Sequence, residues 1–236
     1  MSEPRGSETR GGERNITELR HRLPAAERRT QLLDTALEKF ASRGFHDTSM
    51  EEIAEAAGVT KPVLYQHFPS KRKLYLELLD TVGRELLELV TLSAEAEKQP
   101  YQRVLAGFRA YFRFVREKSS AFQLLFGSGA RRTDEFADTV ATLEESIAET
   151  IGSFIDADIN QEHRGLLGYA IVGLAEVAGR RWVSQSGSDR TGDTWLDNAN
   201  LSASEGDRIA LQLADLVWAG LRGLPGGSAA REGAAR

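Results

Sequence analysis

Apolar residues recur along this chain at spacings of three and four, the period of an amphipathic helix, and no stretch shows the period of two that marks a strand. Nine helices are expected. The first runs from about Pro24–Ala26 to Ser42, with Leu33, Ala36, Leu37, Phe40 and Ala41 on one face. Arg43-Gly44 closes it, and Phe45 folds over a small core. The second starts at a cap, Thr48 or Ser49, with Glu51 or Glu52 three residues on, and turns its Ile53, Ala54 and Ala57 inward. Gly58 permits a tight turn. The third is capped at Thr60, tolerates Pro62 in its first turn, and is held by Val59, Val63, Leu64 and Phe68. Ser70 caps a fourth helix that reaches about Glu97 along the stripe Leu74, Leu78, Val82, Leu86 and Leu89.

Beyond Gln99-Pro100, helices are expected over about 101–118, 119–127, 132–155, 160–184 and 202–223. The segment LLGYAIVGLAEVAG in the eighth is apolar on nearly every side, the pattern of a helix buried all round. The fold class is therefore all-α. An N-terminal three-helix helix-turn-helix domain, residues 25–70, precedes a six-helix body, residues 71–223, that enters it without a linker. Residues 1–24 and 224–236 have the composition of disordered tails, and the loop around Trp195 is polar.

Charge sharpens this division. The chain of 236 residues carries a net −5, but residues 1–74 hold 13 Lys+Arg against 11 Asp+Glu, and the remainder 17 against 24. A mildly basic end on an acidic body suits a protein that meets phosphates at one end only. The tail arginines Arg5, Arg10, Arg14, Arg20 and Arg22 read first as a solvated tail. Without cysteine the chain has no disulfide, thiol nucleophile or thiolate metal site. No apolar run approaches the ~20 residues that span a bilayer, and the polar N-terminus is no secretory signal, so a cytoplasmic protein with no membrane partner is expected.

A helix that reads DNA in the major groove needs exposed side chains aimed at base edges and flanking groups on phosphates. With Val63, Leu64 and Phe68 inward, the third helix turns Thr60, Lys61, Pro62, Tyr65, Gln66 and His67 outward. Lys61 can donate to guanine acceptors and Gln66 can read adenine, while Pro62 or Val63 can touch a thymine methyl. Tyr65, His67, Lys71 and the capping groups Thr48 and Thr60 are candidates for phosphates. Taken singly, Tyr65 and His67 would read as packing or plain surface. Their grouping with Lys61 and Lys71–Lys73 points to double-stranded DNA.

The run Gly58-Val-Thr-Lys-Pro-Val-Leu-Tyr65-Gln-His67-Phe68-Pro-Ser-Lys71, with Phe40-Ala-Ser-Arg-Gly44-Phe and Thr48-Ser-Met-Glu-Glu-Ile53-Ala54 before it, resembles the DNA-binding domain of the tetracycline-repressor (TetR) family over about residues 28–80. The resemblance implies an all-helical homodimer on an inverted-repeat operator. It puts Lys61, Pro62 and Val63 towards bases and Tyr65, His67, Lys71 and Thr48 on the backbone. Gln66 falls at a variable position. It further implies an apolar effector pocket in the body, for which Leu86, Leu89, Phe108, Phe112, Phe122, Leu125, Phe126, Phe136, Leu143, Phe154 and Tyr169 are candidates. Any one of these alone reads as filled core. Arg103, Arg109, Arg113 and Arg116, with Arg131-Arg132, could face an anionic headgroup or simply solvent. Small residues in the eighth helix (Gly168, Ala170, Gly173, Ala175, Ala178) allow close approach, so the eighth and ninth helices are the expected dimer interface, with Trp218 and Leu221 in it.

The wording GVTKPVLYQHFPSK, followed by LYLELL and FRFVREKSSAFQLLF, is similar to regulators of fatty-acid synthesis that sense long-chain acyl-CoA. The competing reading is a drug-responsive repressor of an efflux pump. Catalysis has little support. His21, His46, His67 and His163 do not cluster, Gly127-Ser128-Gly129 lacks the nucleophile-elbow spacing, and no phosphate-loop, dinucleotide or metalloprotease motif occurs. No catalytic residue, metal ligand or cofactor is expected.

Overall fold

The computed structural model describes residues 24–127, 134–186 and 201–226. The tail arginines, Arg131-Arg132 and the Trp195 loop lie outside the described residues. The described residues form helices and turns, with no strand among them. In chain order the helices are α1 (Ala25–Arg43), α2 (Met50–Ala56), α3 (Lys61–His67), α4 (Lys71–Glu95), α5 (Pro100–Glu117), α6 (Ser119–Phe126), α7 (Asp134–Ser153), α8 (Gln161–Ser186) and α9 (Ala203–Leu221).

Local chemistry sets the boundaries near the motif. Gly44 ends α1 at φ 79°, its N–H donating to the Phe40 carbonyl at 2.8 Å. Of the two possible caps for α2, Ser49 is used: Glu52 N–H donates to its Oγ at 3.2 Å, and Ser49 N–H donates to Glu52 Oε2 at 2.8 Å. Gly58, at φ 65°, lies in the left-handed region that joins α2 to α3 at no side-chain cost. Thr60 occupies the N-cap position of α3, but its hydroxyl makes no capping bond. Ser70 caps α4 by accepting from Lys73 N–H at 3.2 Å.

One hydrophobic core runs from Leu32 of α1 to Val217 of α9. The helix-turn-helix part is welded to the body through it. Phe136 of α7 is fully buried and sets its ring 4.7 Å from both Phe45 and Tyr75. Ser120 of α6 donates to Glu38 of α1 at 2.9 Å. At the other end of the body α7 and α8 cross closely, where Gly168 faces the Ala148 carbonyl. Leu224–Gly226, expected as the start of a loose tail, are held instead, with Asp158 N–H donating to the Pro225 carbonyl at 2.8 Å.

Helix α8 departs from the expectation of all-round burial. Its Leu166, Tyr169, Leu174 and Val177 are exposed, as are Leu211 and Leu216 of α9. No described helix is long and apolar enough to cross a membrane.

Candidate DNA-binding face and effector cavity

Helix α3 buries Leu64, half-buries Val63 and turns Lys61, Pro62, Tyr65 and Gln66 to solvent, with Thr60 exposed ahead of them and His67 half-buried at the end. Leu64 inserts into the core with Ile53 and Leu32, and Phe68 closes the C-terminal end. That packing aims the exposed set along one ridge. Lys61 pairs with Glu51 of α2 and lies 5.8 Å from the Tyr65 ring centroid. The hydrogen bond from Lys61 holds the Glu51 carboxyl below its ordinary range, and the same bond raises Lys61 above its own. Both groups are exposed, so the pair is cheap to exchange for another partner.

Two residues expected on the DNA backbone are turned elsewhere. Thr48 is only 1% exposed, and its hydroxyl donates to the carbonyls of Gly44 at 2.8 Å and Lys39 at 3.2 Å. Its side chain has no proton left for a phosphate, because it locks the α1–α2 turn. Lys71 folds back over the same turn. Its Nζ donates to the carbonyls of Phe45 at 2.7 Å, Thr48 at 2.9 Å and His46 at 3.3 Å, and lies 4.5 Å from the Phe45 ring centroid. Its three N–H donors are thereby committed.

The body contains an apolar cavity of about 280 Å³ between α4, α5, α7, α8 and α9. It is elongated. On α4 it extends from Leu86 to Ala94, about 12 Å of helix rise at ~1.5 Å per residue, and continues to Lys98 in the turn beyond. Leu86, Phe108, Tyr111 and Phe126 line the end nearer α1–α3, and Trp218, Leu221 and Leu224 the far end. The polar side chains at that far end are Lys98, Arg103 and Asp156. Arg103 Nε donates to the Glu97 carbonyl at 2.9 Å, which holds the guanidinium at the rim.

Of the eleven apolar candidates, the structure brings Leu86, Phe108, Phe126 and Phe154 to this cavity. The others go to different work. Phe112 packs on Trp182, and Phe122 packs on Tyr111 and Phe126. Leu125 is core, Leu89 is half-buried against it, and Phe136 joins the two parts of the chain. Leu143 covers Gly83, and Tyr169 is exposed on α8. Arg109, Arg113 and Arg116 line a separate surface groove between α5 and the start of α9, where Arg109 sits 3.6 Å from Asp207. Trp218 and Leu221, expected in a dimer interface, face the cavity. Lining residues not expected from sequence include Val90, Ile151 and Ile171; they are the aliphatic face of each helix, with the same apolar period that marks core positions.

Residues 32–78 match the family model described as bacterial regulatory proteins, tetR family. Over 166 residues the chain is 35% identical to the HTH-type transcriptional activator FasR of Mycolicibacterium smegmatis, an alignment that covers 70% of this chain and 76% of FasR. The chain belongs to the TetR family. Solved structures agree in fold. A TetR-like transcriptional regulator from Rhodococcus sp. RHA1 superposes with a TM-score of 0.65 at 25% identity, covering 86% of this chain and all of that one. The Bacillus subtilis regulator FadR, solved in complex with stearoyl-CoA, superposes with a TM-score of 0.63 at 14% identity, over 80% and 96% of the two chains. This TetR-family chain is thus a DNA-binding transcription regulator, as the relatives it matches are transcription regulators.

Proposed function

We propose that the chain acts in the cytoplasm as a homodimer that binds an inverted-repeat operator and changes its grip when an amphiphile with a long apolar chain and an anionic head, of the long-chain acyl-CoA class, enters the cavity. The carrying observation is that cavity, an apolar channel along α4 with the cations Lys98 and Arg103, beside Asp156, at the end away from α1–α3. A linear chain fits such a channel lengthwise. Its phosphate-bearing head would meet Lys98 and Arg103, and its tail would run towards Leu86, Phe108 and Phe126. FadR carries stearoyl-CoA on the same fold.

Volume supports a mechanism. About 280 Å³ lies below the usual range of ~300–1,000 Å³ for small-molecule sites. A long acyl chain that fills it bears on its walls, and one wall is α4. Helix α4 reaches α3 through only Phe68–Ser70, so its displacement re-aims α3. Differential affinity of the ligand for the two poses of α4 then becomes differential affinity for DNA.

On the DNA side, Lys61 exchanges Glu51 for guanine acceptors, with Pro62 and Val63 against a thymine methyl and Gln66 beside them. Thr60, Tyr65 and His67 take phosphates. The exposed apolar stripe of α8 and α9 forms the dimer interface, placing two α3 helices on half-sites one turn, ~34 Å, apart. The test is displacement of a duplex selected by the chain from a random pool. Palmitoyl-CoA should change its affinity while coenzyme A alone does not. Response to hydrophobic cations such as rhodamine 6G, with none to palmitoyl-CoA, would replace this reading with that of an efflux-pump repressor.

A further inference from the structure

The corner between the DNA-facing helix α3 and helix α4 is bridged by a side chain from neither. Arg29, on the first turns of α1, places Nη2 2.6 Å from both carboxylate oxygens of Glu77 on α4. Its Nη1 donates to the His67 carbonyl, the last residue of α3, at 2.9 Å. The guanidinium carbon sits 4.4 Å from the ring centroid of Phe68, the residue that turns the corner. One planar cation is therefore fixed on four sides: by a carboxylate, by a helix-terminal carbonyl, by an aromatic face and by its own helix. The carbonyl is one that α3 leaves without an intrahelical partner, and a cation there complements the helix dipole.

We propose that Arg29 is a positioning residue for DNA recognition, a bracket that sets the angle of α3 against α4 through Glu77 without touching DNA. The proposal rests on the reading of α3 as the DNA-facing helix. Glu77 lies about two turns into α4, so any tilt of α4 carries the carboxylate with it. The guanidinium must then follow Glu77 and leave His67, or stay and lose Glu77. Either way the tie between α3 and α4, which only one pose of α4 allows, is broken. The fork matters: a lysine ammonium carries the same charge but cannot hold two oxygens and a carbonyl in one plane.

Charge and geometry predict opposite outcomes for Glu77→Gln. Removing a negative charge beside the DNA-binding part should tighten DNA binding if only the electrostatic field matters. The bracket predicts weakening. Glu77→Gln, Arg29→Lys and the double variant of the full chain would be measured against the duplex selected by the parent chain and against a random duplex, across a series of KCl concentrations. We expect each single variant to bind the selected duplex about tenfold more weakly, the loss of a charge-assisted bond. The random duplex and the salt slope should be unchanged by Arg29→Lys, and the double variant should be no weaker than the singles. Thermal midpoints should stay within ~4 °C of the parent, since the pair is part-exposed. Unchanged or tighter binding of the selected duplex by both variants overturns the bracket. So does additive loss in the double variant, or an Arg29→Gln chain, measured alongside, that weakens both duplexes with a slope reduced by about one, the signature of a direct phosphate contact. A parent chain that selects no duplex removes the DNA-facing reading itself, and the bracket with it.

Discussion

An ammonium that donates to three carbonyls and lies over a ring has nothing left for a phosphate, and Lys71 does both. Its charge stabilises the turn between α1 and α2. Replacing it by methionine should strip the Phe45, His46 and Thr48 carbonyls of their donor and cost about 2 kcal/mol. In a chain of this size that lowers the thermal midpoint by roughly 4–8 °C. Lys73→Met, at an exposed neighbour, should leave the midpoint unmoved, and differential scanning fluorimetry separates the two. A DNA-contacting Lys71 would show the reverse, with lost affinity and no lost stability. Glu52 offers a pH test. The Ser49 N–H first, then the Ser49 hydroxyl and Arg43, hold its carboxyl below the usual glutamate range. A depressed folded value means that the stabilisation is present above the ordinary glutamate range and is lost as pH falls through the folded value. The gap in thermal midpoint between the parent and Glu52→Ala should therefore be widest near neutrality and close in acid; a gap independent of pH would show that the cap works without its charge. The sequence left this cap open because Thr48/Glu51 and Ser49/Glu52 both have the capping-box spacing. Only the direction of the chain leaving Gly44 decides that Thr48 points inward and Ser49 caps.

At the scale of elements the sequence was a good guide to what the helices are and a poor one to which face does what. The helix ends agree with the apolar period to within about two residues, because caps, Gly and Pro stand at most of them. The motif was legible for the same reason: its turn needs Gly58, and its outward face is what remains once Leu64 and Phe68 are buried. Cavity membership was not. Phe108 and Phe112 stand one turn apart on α5, both buried, yet one lines the cavity and the other meets Trp182. A rotation of about 40° separates them, and no pattern of residue types resolves it. The crossing of α7 and α8 is a further case. A Cβ at Gly168 would collide with the Ala148 carbonyl, backbone that cannot swing aside. Gly168→Ala should force the helices apart at a cost of about 1–3 kcal/mol. Gly173→Ala, where a Cβ meets nothing, should be neutral or slightly stabilising in the single chain, since alanine is the better helix former. Equal midpoints for the two variants would contradict a tight crossing at Gly168.

For the whole molecule, the decisive surface is the stripe that a single chain leaves uncovered. Leu166 is 66% exposed and Val177 57% exposed, three turns apart on one side of α8, and Leu216 of α9 is 58% exposed. Trp218 and Leu221 belong to the cavity, so they are the wrong residues with which to probe assembly, and mutating them should alter effector response before mass. Val177→Glu is the better probe. If α8 and α9 meet their copies, burying an unpaired carboxylate in an apolar seam opposes association by several kcal/mol. Light scattering should then find the mass of one chain where the parent shows two. The dependence of the thermal midpoint on protein concentration, which a dimer must show, should vanish. DNA binding should fall more steeply than any change in α3 itself could explain, because a lone α3 forfeits the second half-site and the effective concentration it supplies. Leu92→Glu is the matched control. Leu92 is 59% exposed on α4, and its charge should change neither mass nor affinity. A Val177→Glu chain that keeps the parent mass would rule out the proposed interface on α8, and with it the proposed spacing of two α3 helices on a symmetric operator.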